Sequence, residues 1–254
     1  MEIFNPIQYA VGLNSNIKLN NLGKNVYFGQ GLQKDTFQNT SPTRFCNELE
    51  IKKLISQNPD LKKILKDNKI PVRLNMAELK DLMENHCKVT QEVSVEIFKN
   101  LPAALKQQVN IKTLKEGAIL HDFGKVLIPA EILNKKGALT DAEHKIMDLH
   151  SVIGYELLKN TDLDDNILTL IRYHHENSDG HRNFVPDINL QIVNLADKYS
   201  ALTEKRVYKE ALTPQQALTI IYGDVQKGTV HPFLFNALVK SVNEKPANIN
   251  VTKC

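Results

Sequence analysis

Apolar residues recur along most of this chain at the three- and four-residue spacing of a helix, with no regular alternation of the kind a half-buried strand shows. The stretch "MAELKDLMENHCKVTQEVSVEIFKNL", residues 76–101, places Leu79, Leu82, Met83, Val89, Val93, Val95, Ile97 and Phe98 on a broad stripe that predicts an inward helical face. "LTDAEHKIMDLHSVIGYELLKN", residues 139–160, opens with Thr140 three positions before Glu143, a capping box in which each side chain satisfies a backbone donor of the other. "LTPQQALTII", from residue 212, repeats the device with Thr213 and Gln216. It adds Pro214 at the first helical position, where the missing N–H costs nothing. No internal repeat interrupts the pattern. It predicts an all-α bundle over residues 46–250, preceded by an irregular or disordered extension over 1–45, where Asn, Gly, Gln and Thr dominate and no apolar period is sustained.

Several polar residues fall on the apolar faces of these helices. His86 follows Leu82 and Met83 at helical spacing, and His150 lies between Met147 and Ile153 in the same way. Asp197 shares a face with Leu190 and Val193, where a lone carboxylate is costly to desolvate. His121 and Asp122 directly follow "LKEGAIL", and His174 and His175 end "LTLIRY". Any one of these could be a satisfied core residue. Five histidines and two aspartates behaving alike suggest a common purpose, because antiparallel helices can bring such residues together in a bundle interior and build a metal site there. Imidazole and carboxylate without thiolate suit iron, manganese, cobalt, nickel or zinc. A carboxylate such as Asp122 can bridge two cations, and paired cations activate water against a phosphate.

Composition narrows the setting. The chain has 254 residues, 24% charged and 42% hydrophobic, which is ordinary for a globular protein. A net charge of +3 gives no reason to expect a long nucleic acid or a membrane as partner. Cys46, Cys87 and Cys254 are odd in number and widely spaced, which argues against a disulfide framework or a thiolate zinc site. With no signal-like start and no run long enough to span a bilayer, the expected location is the cytoplasm.

"AILHDFGKVLIPAEILNKKGALTDAEHKIMDLHSVIGYELL", then "YHHE", then "ADKYSALTEKRVYKEALTPQQAL" resembles the HD-GYP branch of the HD phosphohydrolase superfamily over roughly residues 75–245. The resemblance implies an HD-domain helical bundle with a dinuclear centre in its interior. His86, His121, Asp122, His150, His174, His175 and Asp197 would hold two divalent metal ions, iron or manganese, with Asp122 as the bridge. Lys125 would contact the scissile phosphate, and Arg206 and Lys209 the other phosphates of the substrate. The implied activity is hydrolysis of a cyclic dinucleotide, cyclic di-GMP or a relative, by metal-activated water, with a signalling protein as a further partner.

Two departures from the family pattern matter. The Gly-Tyr-Pro element is replaced by "HRNFVP", and Ser178 stands where an aromatic precedes Asp179 and Gly180. Leu82 stands where some members carry a glutamate for a third metal, which favours two metals over three. The altered loop keeps a second reading open, a metal-dependent phosphohydrolase on another nucleotide or phosphoester, and behind it a non-catalytic nucleotide-sensing scaffold. His181 reads as an exposed loop residue, and His144 and His231 as surface or helix-end residues.

Overall fold

The computed structural model, which describes residues 45, 47–175, 187–205 and 210–244, has helices joined by turns and loops and contains no strand among those residues. Most of its helices begin where a side chain accepts a hydrogen bond from a backbone N–H of the first turn. Asn47 starts α1 (Glu48–Gln57), and Asn58 starts α2 (Pro59–Asp67). Then come α3 (Met76–Glu84), α4 (His86–Lys99) and the short α5 (Ala103–Lys106). Asn110 caps α6 (Ile111–Leu120), which leads into a 3-10 turn (Phe123–Leu127) and the short α7 (Ala130–Leu133). The capping box of Thr140 and Glu143 forms at the start of α8 (Asp141–Leu158). Asp164 caps α9 (Asp165–Tyr173) and Asp187 caps α10 (Ile188–Thr203). The second capping box, Thr213 with Gln216, opens α11 (Pro214–Gln226) on Pro214, and α12 (Pro232–Glu244) follows.

One expectation needs correction. The apolar stripe of residues 76–101 is divided between two helices, α3 and α4, because the chain turns at Asn85 (φ −110°, ψ −85°). After the break α4 takes its phase from α10 and α6, against which it packs, so Val93 and Ile97 turn inward and Val89 is left 41% exposed. His86 is buried all the same, as the first residue of the new helix.

Two apolar clusters form the interior. Ile51, Leu61, Leu79, Val126, Ile153 and Leu157 belong to the first, built by α1, α2, α3, the 3-10 turn and α8. Ile97, Leu114, Val193, Ile221 and Leu238 belong to the second, built by α4, α6, α10, α11 and α12. Each such side chain contributes on the order of 1.5–3 kcal/mol by leaving water. Helices α6 and α9 serve both clusters: Leu120 and Ile171 join the first, Leu114 and Leu170 the second. The C-terminal ends of those two shared helices carry His121–Asp122 and His174–His175. Gly124 lets the 3-10 turn lie directly on α8, since a Cβ at that position would collide with the His150 carbonyl oxygen and the Gly154 nitrogen. No described helix is long and apolar enough to cross a membrane.

Candidate metal centre

Seven side chains from five segments converge at this seam. His86 opens α4, His121 and Asp122 close α6, His150 projects from α8, His174 and His175 follow α9, and Asp197 projects from α10. His86, His121, Asp122, His150 and His174 are buried, Asp197 is half-buried and His175 is exposed. They fall into two sets whose ligand atoms lie within 4.8 Å of one another: His86, His121 and Asp197 in one, and Asp122, His150, His174 and His175 in the other. Asp122 faces both. Its Oδ2 lies 3.3 Å from His121 Nε2 and 3.7 Å from His86 Nε2, while its Oδ1 lies 3.2 Å from His150 Nε2 and 3.8 Å from His174 Nε2.

The hydrogen bonds of the rings decide what the inner nitrogens can do. His121, His150 and His174 each donate Nδ1–H to the carbonyl three residues back, Ala118 at 2.8 Å, Met147 at 2.6 Å and Ile171 at 2.8 Å. In the neutral ring this leaves Nε2 as a bare lone pair. His150 Nε2 then meets His174 Nε2 at 3.0 Å and His175 Nε2 at 3.1 Å. Lone pairs on His150 and His174 that close repel unless a proton or a cation stands between them. His121 Nε2 and Asp122 Oδ1 are buried with no hydrogen-bond partner, which is costly for groups of this polarity. Convergent, orphaned imidazole and carboxylate atoms are what a divalent cation would satisfy, and the donor set fits one.

Burial opposes charge on every group, so the partners decide where each settles. Burial lowers the His121 pKa, but the Asp122 and Asp197 carboxylates outweigh it and raise that pKa to about 10. His86 is raised in the same way, burial being overcome by hydrogen bonds with Asp197 and Glu204. On the other side burial prevails: His150 is lowered and His174 falls to about 4. Burial would raise Asp122, yet Lys125 and His121 hold it well below the usual carboxylate range, and His121 and His86 do the same for Asp197.

The remaining sequence-predicted residues are placed as follows. Lys125 stands in the 3-10 turn with its ammonium donating to Asp122 Oδ2 at 2.6 Å, so it reaches the cluster through the carboxylate that faces both sets. Arg206 and Lys209 lie outside the described residues, as do Ser178, Asp179, Gly180, His181 and the rest of the altered loop. His144 is exposed on α8, and His231 precedes α12, where its Nδ1 accepts the Phe233 N–H. His231 also lines a cavity of about 310 Å³ that begins at His174, His175 and Asp197 and passes Asn194. Both polar atoms of the Asn194 amide are buried without a hydrogen-bond partner.

Sequence reasoning missed Glu204, whose Oε2 lies 3.0 Å from His86 Nδ1. It also missed Cys87, which approaches His121 and Asp122 closely enough to be counted with them. Burial pushes the Cys87 thiol well up, so it stays protonated and packs as an apolar group. The glutamate carried no signal beyond its place at the end of α10.

Fold and cluster together define a helical protein with a site suited to divalent cations. Residues 83–202 match the family model of the HD domain, and the motifs of this stretch resemble those of the HD-GYP type. It is similar to the cyclic di-GMP phosphodiesterase response regulator RpfG of Xanthomonas campestris, with 37% identity over 51% of this chain and 36% of that protein. It is similar also to 3'3'-cGAMP-specific phosphodiesterase 1 of Vibrio cholerae, with 25% identity over 61% of this chain and 37% of that protein. A third relative is the cyclic di-GMP phosphodiesterase PA4108 of Pseudomonas aeruginosa, at 32% identity over 50% of this chain and 32% of that protein. The chain thus spans about a third of the length of the curated relatives it matches.

Proposed function

We propose that this chain is a metal-dependent phosphodiesterase that hydrolyses a cyclic dinucleotide, cyclic di-GMP or a close relative, with two divalent cations, iron or manganese. The observation that carries the reading is the convergence of two sets of ligand atoms on Asp122, with His121 Nε2 and Asp122 Oδ1 buried and without a hydrogen-bond partner. The names of its relatives, cyclic di-GMP and cGAMP phosphodiesterases, supply the substrate class. His86, His121 and Asp197 would hold one cation, His150, His174 and His175 the other, and Asp122 would bridge them, one oxygen already facing each set. Bound there, the cations supply Lewis acidity, lowering the pKa of a water and offsetting charge on the phosphate.

The chain's own residues do the rest. Lys125 brings a positive charge to the Asp122 carboxylate, within reach of a phosphate held at the centre, where a preorganised cation stabilises charge that builds on phosphorus oxygens. Arg206 and Lys209 are assigned to the remaining phosphates on the motif alone. The cavity from His174 to His231 would take the part of the substrate joined to the reacting phosphate, and at about 310 Å³ it is at the small end of ligand pockets. Residues 46–250 form the working domain on this reading, acting in the cytoplasm, with 1–45 an extension of it.

The replaced Gly-Tyr-Pro element favours one competing substrate class, another nucleotide or phosphoester. The purified protein, incubated anaerobically with iron and separately with manganese, would be offered a panel of cyclic dinucleotides and nucleotide phosphoesters and the products separated by chromatography. Turnover of cyclic dinucleotides to linear dinucleotides is expected. Turnover confined to simple phosphoesters would replace the substrate and keep the chemistry, and stoichiometric metal with no turnover of any phosphoester would overturn the catalytic reading.

A further inference from the structure

We infer that Glu204 is a positioning residue of the metal centre, holding His86 as a ligand by accepting the hydrogen bond of its Nδ1–H. The inference rests on the reading of the cluster as a metal centre. Three of the other histidines show why such a residue is needed. His121 and His174 directly follow α6 and α9 and His150 lies within α8, so each has a helical carbonyl three residues back for its Nδ1–H, which fixes the tautomer and leaves Nε2 for a cation. His86 has no equivalent. It is the first residue of α4, and Met83, three residues back, belongs to α3 on the far side of the turn at Asn85.

The acceptor comes instead from 118 positions along the chain, where Glu204 Oε2 lies 3.0 Å from His86 Nδ1. Helix α10 therefore supplies a carboxylate to each nitrogen of this ring: Asp197 Oδ1 at 2.9 Å from Nε2, and Glu204, just past the C-terminal end of the helix, at Nδ1. The same ring cannot satisfy both roles in the wrong tautomer. With the proton on Nε2, it could not offer a lone pair to a cation shared with His121 and Asp197. A carboxylate is also a stronger acceptor than a main-chain carbonyl and makes the Nε2 of its histidine a better donor to metal. Glu204 thus sets His86 apart from His121, His150 and His174, whose acceptors are main-chain carbonyls.

The test compares the whole chain with its Glu204→Ala and Glu204→Gln variants. Bound manganese per chain is measured by elemental analysis after dialysis against a series of buffered free manganese concentrations. The wild type is expected to fill two sites. Glu204→Ala should weaken one of them by roughly 10–100-fold, the usual cost of losing a partner that orients a ligand, and leave the other where it was. Glu204→Gln, whose amide oxygen can still accept from Nδ1, should recover most of the loss. A two-site wild type with an unchanged Glu204→Ala isotherm would overturn the inference and leave the metal centre standing. Equal weakening of both sites in the two variants would overturn it as well, marking Glu204 as a prop of the fold. A wild type that took up no cation would remove the metal-centre reading itself.

Discussion

On one side of Asp122, His86 and His121 lie among carboxylates; on the other, His150 and His174 rest on main-chain carbonyls and on each other. The ligand type is the same and the electrostatics are opposite. Asp197, Glu204 and Asp122 raise the pKa of both rings of the first pair, so a cation arriving there competes with protons. The second pair is kept neutral by burial and offers its lone pairs directly. A site built from like residues can therefore have two unlike halves, with the asymmetry residing in the carboxylates that surround His86 and His121, since His121 backs onto a main-chain carbonyl just as His150 and His174 do.

The largest test removes the group both halves share. Asp122→Ala should lose both cations and lower phosphodiesterase activity by more than about 10³-fold, beyond the cost of one missing electrostatic stabiliser. Elemental analysis of the purified variant reads the metals directly. Occupancy equal to that of the wild type would defeat the bridging role, and loss from one half alone would reassign Asp122 to that half.

Much of this comparison could be read from the chain before any coordinates, and the part that could not has a physical reason. The seven converging residues stand out because they interrupt apolar helical faces or fall in order within a recognisable motif. Thr140, Thr213 and Pro214 are local signals, and the caps they predict form as expected. The break at Asn85 is different: the apolar spacing runs through it, and only the packing of α4 against α6 and α10 sets the new phase that exposes Val89. Glu204 was silent for a related reason. Its role depends on where α10 ends relative to the start of α4, a tertiary fact that no spacing within either segment encodes. The residues that resemble the substrate-contacting and Gly-Tyr-Pro parts of the motif, at 178–186, Arg206 and Lys209, lie outside the described residues.

A finer cut separates the halves. His121→Ala should remove one cation of the two, and His174→Ala the other, each lowering activity by about 10²–10³-fold. The asymmetry predicts different pH behaviour for what remains. His174→Ala keeps the half in which binding must displace protons, so its residual metal affinity should rise with pH. His121→Ala keeps the neutral half, whose affinity should change little between pH 7 and 8, and manganese binding at the two pH values measures both. Equal pH slopes in the two variants would erase the distinction.

The smallest expected effect concerns how the two halves are anchored. His150 rides on α8, whose first turn is closed by the Thr140–Glu143 capping box, whereas α4, which begins with His86, has no side-chain cap at Asn85. Thr140→Ala should therefore cost about 1 kcal/mol of stability, the usual value of a lost cap, while leaving both cations in place because the cap lies ten residues before His150. Glu143 adds a pH signature. Its hydrogen bond from Lys135, with those from the backbone and hydroxyl of Thr140, lowers its pKa from 4.5 to about 2. A group depressed on folding stabilises the protein above its unfolded pKa and loses that contribution as the pH falls through the folded value. Wild type and Glu143→Gln should accordingly differ most in thermal stability above about pH 4.5 and converge towards pH 2, as followed by circular dichroism. A difference that stayed constant across that range would assign the contribution of Glu143 to packing and remove its charge from the anchoring of α8.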